Sequence, residues 1–218
     1  MKISTYCEGP MSTLVSVREA AGALGVSASQ VYRLIESGQL RGTRLGSQQV
    51  VYAESLNEYR LVRPQRGRPL DPASAWSVLL GKRPDDIDAL GPIAASTRRR
   101  AAVAYCYVPE YRLSAIADSA DTVVTGAEGA RLRGAAIGNT QPLQVYVSEQ
   151  RWPTLRDAQR ISDAADDVNL IVRVVPVEAW PQASSMNPAP LVVCAVDAYS
   201  CADLRSAHEA LETMKAGR

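Results

Sequence analysis

The 218-residue chain carries a single histidine, His208. That scarcity strains most nucleophilic constellations before any motif is sought. A Ser–His–Asp triad would have to use His208, which lies in the polar helical stretch ADLRSAHEALETM, and no G-x-S-x-G elbow supplies the serine. Neither a Walker A loop nor a G-x-G-x-x-G fingerprint occurs, so neither familiar phosphate cradle is present. Cysteine is sparse too. Cys7, Cys106, Cys194 and Cys201 form no C-x₂-C pair, which argues against a zinc cluster or a disulfide framework. They read as small buried apolar side chains. No apolar run approaches the ~20 residues of a membrane span. The opening MKISTYCEGPMSTL lacks a basic segment followed by an apolar one, so no secretory leader is expected and the expected location is the cytoplasm. Lysine is nearly missing, three against 21 arginines, a bias that reads as a GC-rich genome before it reads as chemistry.

What is present is ordinary globular composition, 46% apolar and 22% charged. The charge is unevenly placed. Residues 1–70 hold nine Lys/Arg against five Asp/Glu, and residues 71–218 hold fifteen against eighteen. A basic head and a mildly acidic body suggest a nucleic-acid-facing end and a separate domain behind it. No spacing among the acids after residue 70 selects a catalytic pair, so a non-enzymatic protein without cofactor or metal is expected.

Residues 14–59 are the most informative. Ser16 and Glu19 make a capping box at a helix start. Val17, Ala20, Ala21 and Leu24 follow at the spacing of one apolar helix face. Gly25 suits the left-handed stop. Ser27 and Gln30 make a second capping box, Val31, Leu34 and Ile35 a second buried face, and Gly38 a second stop. Two short helices joined by a glycine-containing turn predict a helix-turn-helix. The outward face of its second helix carries Ser29, Gln30, Tyr32 and Arg33, of which Gln pairs with adenine and Arg with guanine in the major groove. Alternation around Gly46-Ser47 then predicts a two-stranded hairpin with Arg41, Arg44, Gln48 and Gln49 as polar members, followed by a short helix from Glu54 to Tyr59.

The string VSVREAAGALGVSASQVYRLIESGQLRGTRLGSQQVVYAESLNEY resembles the MerR/excisionase-type winged helix-turn-helix. In that pattern a short helix ending in LGVS precedes a recognition helix ending in I-x-x-G-x-L, and a basic strand leads to a short helix. The resemblance implies binding to double-stranded operator DNA. A protein–protein module is the other use of such a fold, but the basic excess and the polar recognition face favour DNA. The expected DNA-binding set is Ser27, Ser29, Gln30, Tyr32 and Arg33 on the recognition helix and Arg41, Arg44 and Gln48 on the wing. Arg66 and Arg68 complete it in RLVRPQRGRP, a stretch whose prolines and glycine end the helix. There Arg66-Gly67-Arg68-Pro69 resembles an AT-hook core, which lies in the narrow A·T minor groove. A solvated hinge is the other reading of the same residues.

Beyond residue 71 the pattern becomes mixed α/β. DPASAWSVLLG reads as an N-capped helix burying Trp76, Leu79 and Leu80, and PDDIDALGPIAASTRRRAAVAYC continues in helical periods broken at Gly91-Pro92. The Thr97–Arg100 run reads as a second phosphate contact or a solvated helix face. Strands are expected at 122–124, 142–149, 169–176 and 189–197, and helices over TGAEGARLRGAA, after Pro153, and over 201–214. Their spacing permits a small sheet with helices on one face. Asp197 is expected to cap a helix at the end of a strand. Arg131 and Arg133 are expected as partner contacts or exposed cations, and Trp152 and Trp180 as partner anchors or lids on the core.

TGAEGARLRG, LQVYVSE, NLIVRVVPVEAW and APLVVCAVDAYSCADLRSAHEAL together resemble the C-terminal region of AbiEi-type antitoxins. That resemblance implies a protein that represses its own operon and neutralises a nucleotidyltransferase-like toxin encoded beside it. The expected organisation is α+β, with a winged helix-turn-helix at 1–62, an Arg/Pro-rich linker at 63–75 and a mixed α/β domain at 76–218. The expected partners are operator DNA, a neighbouring protein toxin and a second copy of the chain, with no membrane. The expected site of action is the nucleoid. Two other functions fit the same residues: a regulator whose C-terminal domain senses a ligand, and an excisionase-like architectural protein that bends DNA.

Overall fold

Ser16 both ends a short strand, β1 (Leu14–Ser16), and caps a helix, α1 (Val17–Leu24). A computed structural model describes residues 13–62, 70–164 and 167–217. Gly25 closes α1 at φ +64°, a backbone region that glycine enters without steric cost. After Val26, Ser27 caps α2 (Ala28–Glu36). The chain then forms a hairpin of β2 (Gly42–Leu45) and β3 (Gln48–Tyr52), with Gly46 at φ +60° in the two-residue turn, and enters α3 (Ala53–Leu61). Both strands are antiparallel to their neighbours, and β1 adds to the far side of β3, giving the order β1-β3-β2. The expected hairpin is therefore part of a three-stranded sheet. Val17, Ala20, Leu24, Val31, Leu40, Val51 and Leu56 form the core beneath it.

The chain divides into two compact units, Met1–Arg60 and Leu61–Arg218. The second opens with α4 (Pro72–Leu80), capped by Asp71 and burying Ala75, Trp76 and Leu79. It continues through α5 (Leu90–Thr97), β4 (Ala102–Tyr107), α6 (Leu113–Ala117), β5 (Thr122–Thr125) and α7 (Gly126–Leu132). Then come β6 (Leu143–Ser148), α8 (Trp152–Gln159), β7 (Ser162–Asp163), β8 (Leu170–Val175), α9 (Trp180–Ala183), α10 (Leu191–Ser200) and α11 (Leu204–Ala216). The sheet order is β5-β6-β8-β4-β7, with β6 and β8 parallel and the other pairs antiparallel. The chain as a whole is α+β, with the helix-turn-helix unit first and a mixed α/β unit after it.

Helices cover both faces of this sheet, not one. Leu143, Val145 and Val147 of β6 and Leu170 and Val172 of β8 meet Leu113 and Ile116 of α6 and Leu155 of α8. On the opposite face Val123, Tyr146 and Val175 meet Trp76, Leu79, Ile93 and the apolar residues of α10 and α11. Three local expectations are corrected by this arrangement. Gly91 and Pro92 begin α5 instead of breaking a helix, because proline tolerates the first helical turn. The end of the same stretch, AVAYCY, is strand β4. Most consequentially, 189–197 is not a strand: Leu191–Ser200 is a helix whose residues Val192 to Ala198 are all buried. A continuous apolar run carries no period, and its valines suit either state, so tertiary burial decides.

The helical α10 places Asp197 in its interior, not at a cap. Its carboxylate is fully buried and meets four donors. Arg100 pairs with Oδ1 and Arg173 lies 3.2 Å from it, while the Thr125 hydroxyl donates to Oδ2 at 2.6 Å and the Tyr146 hydroxyl at 2.7 Å. Arg100, expected on a solvated basic face, is thus inside the unit, where it also donates to Tyr146 at 3.0 Å and to the Thr97 carbonyl at 3.1 Å. Burial alone would push the Asp197 carboxyl up, but Arg173, Arg100 and the two hydroxyls outweigh it and hold it below the usual carboxylate range. Burial pushes the Tyr146 phenol up, so it stays neutral and donates. Burial likewise pushes the Cys106 and Cys194 thiols up, to about 11 and about 12, which suits apolar filler and opposes nucleophilic use.

Candidate nucleic-acid interface

Both capping boxes close as expected. Glu19 Oε2 accepts from the Ser16 amide at 2.8 Å, and the Glu19 amide donates to Ser16 Oγ at 3.1 Å. At α2, Gln30 Oε1 accepts from the Ser27 amide at 3.0 Å, and the Gln30 amide donates to Ser27 Oγ at 3.3 Å. Ser27 and Gln30 are both exposed, and Ser27 Oγ and Gln30 Oε1 each accept from the other's amide in setting where α2 starts. Ala20 of α1 and Val31 of α2 are both wholly buried in the shared core, and the small alanine side chain permits close helix approach.

Val31 faces inward, and Ser29, Tyr32, Arg33 and Glu36 therefore lie along the outer side of α2. Tyr32 remains 46% accessible. Glu36 was not among the expected residues, although its position three and four residues beyond Arg33 and Tyr32 places it on the same face. An acid at such a position has the chemistry to accept from cytosine N4 and would repel phosphate.

The hairpin tip, Arg44 to Gln48, is exposed. In the β2–β3 register Arg44 opposes Gln49 and Leu45 opposes Gln48, so Arg44 and Gln48 leave opposite faces of the wing. Gly42 is needed where the hairpin meets the domain, because a Cβ there would lie 2.7 Å from the Val50 carbonyl. Arg41 does not join the exposed set. Its side chain is 14% exposed, 3.5 Å from Glu58 and 5.8 Å from the centre of the Tyr52 ring, and its amide donates to Ser55 Oγ at 2.8 Å. It ties the hairpin to α3. Arg66 and Arg68 lie outside the described residues.

The charge of this unit is less basic than the N-terminal third of the sequence. Arg18, Arg33, Arg41, Arg44 and Arg60 stand against Glu19, Glu36, Glu54 and Glu58 between residues 13 and 60. Much of the excess resides at Arg63, Arg66 and Arg68.

The other candidate residues of the sequence fall in the second unit. Arg131 is bidentate with Glu128 at 2.6 and 2.8 Å. Arg133 donates to the carbonyls of Pro188 and Ala189. Trp152 and Trp180 are half-buried, one against each apolar core, and so close the core edges. His208 is exposed on α11. Among the described residues no helix is long and apolar enough to cross a membrane.

Comparison with known proteins agrees with the geometry of the first unit. Residues 14–61 match a family described as a helix-turn-helix domain. An uncharacterized protein of Mycobacterium tuberculosis and one of Mycobacterium bovis are each 39% identical over 57 residues, 26% of this chain and 50% of theirs. The chain thus spans about half the length of the curated relatives it matches. No solved structure matches it.

Proposed function

We propose that this protein is a transcription regulator that binds operator DNA through the first unit. α2 enters the major groove with Ser29, Tyr32, Arg33 and Glu36 toward the base edges, and Arg44 and Gln48 of the wing meet the backbone on either side of the hairpin. The observation that carries this reading is the uninterrupted order of capped helix, left-handed glycine, second capped helix and hairpin, with an outer helix face left polar and exposed. Ser27, Gln30 and Arg41 then act by holding the reader's shape. Arg66 and Arg68 follow the adjacent minor groove. The test is a gel-shift titration against fragments of the protein's own promoter: a specific complex is expected, and no binding to any fragment in dilute buffer would refute the assignment.

The finer proposal is that the protein is an antitoxin that represses its own locus, the second unit neutralising a nucleotidyltransferase-like toxin. Its support is the run of segments from TGAEGARLRG to the C-terminal helix described above. Co-expression with the neighbouring gene decides it. Co-purification and rescue of growth are expected, and a neighbour that is harmless without this protein would end the antitoxin reading while leaving DNA binding intact.

A further inference from the structure

The second unit contains an open pocket of about 480 Å³ that neither the DNA reader nor the buried Asp197 cluster uses. It lies among α6, α7 and the start of β6. Leu113, Ala117 and Leu143 supply apolar wall, and Glu128, Arg131 and Thr140 supply the polar part. This volume is within the range of small-molecule sites. The polar part has a specific design. Glu128 is the more enclosed partner, its side chain 17% exposed, and it holds Arg131, 46% exposed, through two parallel hydrogen bonds at 2.6 and 2.8 Å. The Arg131 fork, assisted by the Thr140 hydroxyl, keeps the Glu128 carboxyl below its usual range, so the pair is fully charged at neutral pH.

A ligand that enters must not strand either charge. An anion alone would take Arg131 and leave an enclosed carboxylate without its partner. A cation alone would take Glu128 and release the guanidinium. A head group bearing both an ammonium and a carboxylate exchanges one ion pair for two, because its carboxylate engages the Arg131 fork while its ammonium engages Glu128. A short hydrocarbon side chain would then lie against Leu113, Ala117 and Leu143. We infer that this pocket is a binding site for a small zwitterion with an apolar tail, of the chemical class of an α-amino acid with an aliphatic side chain. The inference concerns the second unit alone and does not depend on the DNA-binding reading.

The test uses the full-length protein and isothermal titration calorimetry with L-leucine, leucinamide and 4-methylpentanoate, which share one tail and carry both charges, the cation or the anion. Saturable binding of leucine is expected, with each singly charged analogue about tenfold or more weaker. Glu128→Gln and Arg131→Gln should each abolish that preference. Ser114→Trp, at an exposed rim position, should block entry without touching the ion pair and serves should either charge variant fail to fold. Absence of leucine binding, equal binding of the three compounds, or undiminished binding in Ser114→Trp would each overturn the inference.

Discussion

Arg33 and Arg44 are both exposed guanidiniums of one small unit, and the proposed function gives them different work. Arg33 sits on the outer face of the recognition helix and Arg44 at the rim of a hairpin. Arg33→Ala should relax base preference at one position and cost about 1–3 kcal/mol of specific binding. Arg44→Ala should weaken every sequence alike and flatten the dependence of log affinity on log salt by about one unit. Competition titrations at several salt concentrations distinguish the two, and identical behaviour of both variants would contradict the division. Asp197 is a different kind of residue. Removing its charge leaves Arg100 and Arg173 buried with no anion between them, so Asp197→Asn should cost about 3–5 kcal/mol of stability of the second unit, read by chemical denaturation. Because the folded carboxyl titrates below its unfolded value, its stabilisation is complete above that value and disappears as pH falls through the folded one. Wild type should therefore lose stability in acid more steeply than Asp197→Asn.

At the scale of elements, local sequence rules succeed where local chemistry closes on itself. The caps of α1 and α2 are legible because a hydroxyl and an acceptor three residues on satisfy each other's amides without any distant partner. That same closure engages the Gln30 oxygen that bidentate pairing with adenine uses, a conflict the capping box already implies in the sequence. Ser27→Ala should lower the stability of the first unit by about 1 kcal/mol, with base preference among the remaining folded molecules unchanged. Altered preference at undiminished stability would instead make Ser27 a reader. The sheet of the second unit was legible at β5, β6 and β8, where valine-rich runs lie between turns. α10 was not, since its seven consecutive buried residues present no polar face from which a period can be read. With α10 misassigned, Arg100 and Asp197 could not be recognised as partners, being 97 positions apart.

For the whole molecule, the near balance of charge in the folded reader bears on affinity. A lone winged helix buries limited surface, so tight binding needs a second copy or further phosphate contacts. The arginines at 63, 66 and 68 are the nearest source in the sequence. Replacing Arg66 and Arg68 together by glutamine should flatten the salt dependence by about two units while leaving the base preference conferred by α2 intact. An unchanged slope would mark that segment as a spacer and direct attention to dimerisation.

Within this protein, the alternation of caps, stops and turns was sufficient to define the two helices and the hairpin of the first unit, because each signal acts over three or four residues and needs no tertiary partner, whereas the pairing of β1 with β3 was not legible. Tertiary packing alone determined which charges face solvent. It turned Arg41 toward Glu58, drew Arg100 and Arg173 around Asp197, and left the Glu128–Arg131 pair lining an open pocket. A guanidinium costs little in water and a great deal in the interior, so its place depends on whether a carboxylate from a remote segment arrives to meet it.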